Sequence, residues 1–123
     1  MSYIRTKDAV YEVIKNELGE CIKIDGGFVM LEDVRLIEQN IIESDNLAEL
    51  CDEFVVAFEE NNDRITYLDL DWAIDKAKRY AGHTTIYGAV WCEWGLKYVA
   101  KMNNNGELIL IWKILKKYLK IED

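Results

Sequence analysis

Ile86-Tyr87-Gly88-Ala89-Val90-Trp91-Cys92 and Leu96-Lys97-Tyr98-Val99-Ala100-Lys101-Met102 decide the fold class of this chain. They are joined by the corner Glu93-Trp94-Gly95, and Asn103-Asn104-Asn105-Gly106 then leads into Leu108-Ile109-Leu110-Ile111. Asn and Gly tolerate the positive φ that tight hairpins demand, so two turn signals flanking β-rich runs predict a three-stranded antiparallel meander near 86–92, 96–102 and 107–111. In the middle run Leu96, Tyr98, Ala100 and Met102 share one face and Lys97, Val99 and Lys101 the other, as strand alternation requires.

Upstream, Leu70, Ala73, Ile74 and Ala77 recur at helical spacing, with Lys76, Lys78 and Arg79 opposite, so a helix is expected near 69–81 with Asp69 at its start and Gly82 as its stop. Asp45-Asn46-Leu47-Ala48-Glu49-Leu50 reads as a capped helical turn, with the cap at Asp45 or Asn46. Phe54 to Phe58 either extends that helix or forms a buried strand, and its β-branched and aromatic content favours strand. Two readings stand for the first forty residues. Val10, Val13, Ile14 and Leu18 fit a helix ending at Gly19, while Tyr3–Arg5 and Val10–Ile14 fit a hairpin; Cys21 to Ile24 reads as a short strand. A second helix is expected near 112–120. The fold class is therefore α+β, an antiparallel sheet with a C-terminal three-stranded meander and two to four helices, in a single domain over residues 1–123.

Charge is sorted along the chain. Residues 43 to 75 carry eleven carboxylates against the single Arg64, a net charge of −10, whereas residues 1–42 contribute −3 and residues 76–123 contribute +5 to the total of −8. Such polarity speaks about partners and not about a reaction. Cys21, Cys51 and Cys92 form no paired spacing, which argues against a zinc knuckle or a disulfide framework and for buried thiols in a reducing compartment. There is no apolar run of signal-peptide kind and no stretch near the ~20 residues that span a bilayer, so a cytoplasmic protein with no membrane partner is expected.

Few motifs carry chemistry. Asp69-Leu70-Asp71 has the spacing of a magnesium-chelating carboxylate pair, but an N-cap at Asp69 with Asp71 favoured by the helix dipole explains both residues. His83, the single histidine, lies in a loop-like Gly82-His83-Thr84-Thr85, and no glycine-rich phosphate loop or nucleophile elbow is present. No cofactor is expected. Lys113, Lys116, Lys117 and Lys120 share one helical face, as in an ordinary docked terminal helix or a basic amphipathic one. Trp94, at the corner of the meander, is a minor interface candidate. The acidic segment reads in two ways, as a solubility device or as an imitation of a nucleic acid's phosphate array. A helix over 45–53 would place Asp45, Glu49 and Asp52 or Glu53 on one face, with Glu59, Glu60 and Asp63 following.

Three stretches together resemble a group of small, mostly uncharacterised proteins carried by phages and prophages of low-GC Gram-positive bacteria. They are Tyr3-Ile4-Arg5-Thr6, Asn46-Leu47-Ala48-Glu49-Leu50-Cys51-Asp52-Glu53-Phe54-Val55, and the block from Ile86 to Trp91 continuing through Leu96–Met102 to Gly106-Glu107-Leu108. The resemblance covers less than a third of the chain and implies a genomic setting but no site residues. Small acidic phage proteins without a catalytic motif are, as a class, often inhibitors of host defence or host transcription. Joined to the charge argument, it makes the leading expectation a non-enzymatic, anti-CRISPR-like protein in the host cytoplasm. Such a protein blocks a host protein with a basic nucleic-acid-binding surface and does not touch nucleic acid directly. The expected partner-binding residues are Asp45, Glu49, Asp52, Glu53, Glu59, Glu60, Asp63, Asp69 and Asp71. Self-association between the acidic and basic regions of two copies is a further expectation. The alternatives are a module that sequesters a nucleotide-like signal, and a metal-dependent enzyme using Asp69 and Asp71.

Overall fold

The computed structural model describes residues 2–7, 9–24, 27–38, 40–80, 82–92 and 95–111. The architecture is α+β, but the strands form two five-stranded antiparallel sheets instead of one. The first sheet holds β1 (Ser2–Arg5), β2 (Val10–Asn16), β3 (Gly19–Ile24), β4 (Gly27–Met30) and β5 (Ile42–Ser44) in the order β4-β3-β2-β1-β5, with α1 (Leu31–Ile37) packed against it. The second holds β6 (Glu53–Phe58), β7 (Asp63–Tyr67), β8 (Thr84–Cys92), β9 (Gly95–Met102) and β10 (Leu108–Leu110) in the order β10-β9-β8-β6-β7, with α2 (Leu70–Arg79) across it. The expected helix at 112–120 and Trp94 lie outside the described residues.

Of the two readings of the first segment, the hairpin is the one formed, with Ile4 opposite Tyr11 and Arg5 opposite Val10. Its reason is packing: Ile4 and Ile22 pack with Leu31 and Val34 of α1, and Tyr11, Val13 and Val29 join them. Gly19, read above as a helix stop, has φ +121° and closes the two-residue β2–β3 turn, a conformation costly for any side-chain-bearing residue.

The helix considered over 45–53 is only a 3-10 turn, Leu47–Leu50. Asn46 caps it, its Oδ1 accepting from the Ala48 N–H at 3.1 Å. Cys51 is already extended, at φ −90° and ψ 142°, and β6 follows, as its β-branched and aromatic content favoured. Asp69 stands at the N-cap of α2, yet its side chain makes no capping hydrogen bond.

Strict alternation fails in β9. A bulge at Gly88/Ala89 pairs Gly88 with Ala100 and Ala89 with Tyr98, so the intervening Val99 has no opposite number. Val99 and Ala100 are both buried as a result, and Tyr98 stacks on Tyr87 with ring centroids 5.0 Å apart. One face of the second sheet therefore packs twice. Phe54, Val56, Phe58 and Ile86 meet Ala73 of α2, while Val90, Val99 and Ala100 meet Tyr3 and Val10 of the first sheet through Leu47 and Leu50.

Candidate functional site

The acidic segment runs from β5 through the 3-10 turn, β6 and β7 into the first half of α2, and the structure divides its carboxylates by the work they do. Asp52 is structural: both of its oxygens bind Arg5 at 2.7 Å, and Oδ2 also accepts the Trp91 N–H at 2.8 Å. The Arg5 hydrogen bond holds the Asp52 carboxyl below the usual carboxylate range, against the opposing effect of burial. Glu53 accepts the Trp91 indole N–H at 2.8 Å, and Glu59 accepts the Thr85 hydroxyl at 2.9 Å. Asp45 and Glu49 accept the hydroxyls of Ser2 and Ser44. Among the described residues Glu60, Asp63, Asp69 and Asp71 have neither an ion pair nor a hydrogen-bond donor to their carboxylates, and all four are exposed.

These four flank one strand. Among the described residues β7 is an edge strand paired with β6 alone, with Asp63 opposite Phe58 and Tyr67 opposite Phe54. Glu60 and Asp63 therefore stand at one end of β7 and Asp69 and Asp71 beyond the other, separated by the five residues of strand, about 17 Å. The nine expected residues are thus not one contiguous patch, since Glu53 and Glu59 sit at opposite ends of β6. Asp45 does approach the second group: it shares a depression of about 290 Å³ with Leu70, the residue between Asp69 and Asp71, and with Glu107.

Arg64, the single cation of the segment, does not neutralise this edge. Alternation puts it on the face opposite Asp63, where its Nη1 donates to the Tyr98 hydroxyl at 2.7 Å and its guanidinium lies 5.4 Å from the ring centre. Two apolar side chains complete the surface. Leu68, leaving β7, is 81% exposed, and Trp72, in the first turn of α2, is 71% exposed. Sequence reasoning missed both, although a signal was present: Trp72 falls with Lys76 and Arg79 on the helix face opposite Leu70, Ala73 and Ala77.

The candidate nucleophiles and ligands lead elsewhere. Burial pushes the Cys51 thiol up to about 12, with Asp52 adding to the rise and Arg5 opposing it. The Cys92 thiol donates to the Gly95 carbonyl at 3.3 Å. His83 lines a groove of about 790 Å³ at one end of the second sheet, together with Lys78, Lys101 and Glu59. Asp69 and Asp71 belong to no metal-ligating group of three among the described residues, and no described helix is long and apolar enough to cross a membrane. Compared with protein-family models, curated proteins and solved structures, the chain matches none of them.

Proposed function

We propose that this is a non-enzymatic, phage-type accessory protein that inhibits a host nucleic-acid-handling machine, in the manner of an anti-CRISPR protein, by occupying its basic surface. The observation that carries the reading is the β7 edge: four carboxylates without partners among the described residues, with the only cation of the segment turned to the other face of the sheet. Over about 17 Å a nucleic-acid strand presents roughly five phosphates, so this edge offers a comparable charge over a comparable length on a rigid support. Leu68 and Trp72 add what a phosphate array lacks, an exposed apolar anchor of the kind enriched at interface hot spots. Electrostatic steering brings a basic partner in, and the anchor slows its departure.

The test is affinity capture from a host lysate at low and high salt, comparing the native protein with a variant carrying Glu60→Lys, Asp63→Lys, Asp69→Lys and Asp71→Lys. The reading requires a partner that binds nucleic acid, that the native protein displaces from it, and that the variant does not retain. A partner held equally by both proteins would remove it.

A further inference from the structure

A second cleft, of about 690 Å³, opens where the two sheets meet, between the end of β1 (Arg5, Lys7), residues Asn40 and Ile42, and the end of β8 (Trp91). Its volume is within the range of small-molecule sites, and among the described residues no carboxylate lines it. Trp91 is held there at three points. Its N–H binds Asp52 at 2.8 Å, its carbonyl accepts from Arg5 Nη2 at 3.2 Å and its indole N–H binds Glu53 at 2.8 Å, while the side chain stays 55% exposed. Arg5 also donates to the Leu50 carbonyl at 3.1 Å, so both of its terminal guanidinium nitrogens are engaged in building the wall. Lys7 is exposed and makes no ion pair with a described residue.

A fixed aromatic side chain loses little further freedom when a planar group stacks on it. The Lys7 ammonium on the same cleft attracts an anion, and the Asn40 amide supplies both a donor and an acceptor. We infer that the cleft between Trp91 and Lys7 binds a nucleoside monophosphate, with the base stacked on Trp91 and the phosphate at Lys7. This site does not rest on the proposed inhibitory function, because it uses none of the β7-edge carboxylates.

Calorimetric titration with AMP, UMP, adenosine and inorganic phosphate tests it, with tryptophan fluorescence as a second readout. Saturable binding of at least one nucleotide is expected, at least about tenfold tighter than that of adenosine or phosphate alone. Lys7→Ala and Trp91→Ala should each weaken it by about tenfold or more. Lys7 is exposed, so its variant carries the test even if loss of the indole disturbs folding. A Lys78→Ala/Lys101→Ala variant, altering the groove at His83, should bind normally. Failure of both nucleotides to saturate, equal binding of phosphate alone, or loss of binding in the Lys78/Lys101 variant but not in Lys7→Ala would each overturn the assignment.

Discussion

Arg5 and Asp52, forty-seven residues apart, face each other through two parallel hydrogen bonds of 2.7 Å, and this pair fastens the first strand of one sheet to the start of the other. Neither residue works alone. Arg5 also binds the carbonyls of Leu50 and Trp91, and Asp52 the Trp91 N–H, so one carboxylate and one guanidinium organise three segments of chain.

Removing that carboxylate's charge should therefore cost more than a surface ion pair and less than a buried one. Asp52→Asn is expected to lower stability at pH 7 by about 2 kcal/mol, between the limits of roughly 0–1 and 3–5 for the two classes. Because the native carboxyl titrates below its unfolded value, its contribution is complete above the ordinary aspartate pKa, about 3.9, and is lost as pH falls through the depressed native value. Urea unfolding between pH 7 and pH 3 should show the native protein losing more stability on acidification than Asp52→Asn. Parallel pH profiles would contradict the role given to the pair.

Gly88 has a different vulnerability. A Cβ built there would lie 2.6 Å from Cys51 Sγ and 3.3 Å from Ala100 Cβ, so Gly88→Ala should destabilise by about 1–3 kcal/mol through overpacking. Cys51→Ala removes the nearer atom and leaves Cys51 Cβ at 3.7 Å. In that background the same substitution should cost at least about 1 kcal/mol less, a coupling that a double-mutant cycle measures.

With burial pushing its pKa up to about 12, the Cys51 thiol stays protonated at pH 8. Iodoacetamide at that pH should leave Cys51 unmodified in the folded protein and modify it on addition of denaturant, as read by peptide mass spectrometry. Alkylation at the rate of a free thiol in the native state would restore Cys51 as a candidate nucleophile.

Elements with a strong local signature were legible in the sequence. Asn103–Gly106 and the alternating runs beside it mark β8 to β10, and Leu70, Ala73, Ile74 and Ala77 mark α2. What was not legible depends on contacts distant in sequence. β7 is rich in polar residues, and only pairing with β6 makes Asp63–Tyr67 a strand. β4, α1 and β5 are short, of four, seven and three residues, and are held by Leu31, Val34 and the Arg35–Glu43 pair at 2.7 Å. The face of Tyr98 depends on a bulge that no periodicity announces. For the candidate surface, the sequence reading identified the excess of carboxylates but could not divide them. Asp52, Glu53 and Glu59 are engaged with Arg5, Trp91 and Thr85 only because the fold brings those partners close.

That division sharpens the expectation for the acidic surface. Glu60, Asp63, Asp69 and Asp71 hold nothing in place among the described residues, so reversing all four to Lys should leave the domain folded, with changes of about 0–1 kcal/mol per site. Trp72→Ala should likewise shift stability by no more than about 0.5 kcal/mol, because its side chain is 71% exposed. Binding should respond quite differently. Against a cationic surface the fourfold reversal turns attraction into repulsion, slowing association and weakening affinity by several kcal/mol in sum, an effect that shrinks as salt is raised. Loss of the anchor acts on dissociation instead: Trp72→Ala should raise the off-rate by the equivalent of about 2 kcal/mol and leave the salt dependence unchanged. Surface plasmon resonance against the captured partner, with unfolding curves of the same variants, separates the two effects. Full affinity in both variants would place the interface elsewhere, and a fourfold variant that keeps full activity while His83→Ala abolishes it would replace inhibition by binding with an enzymatic role.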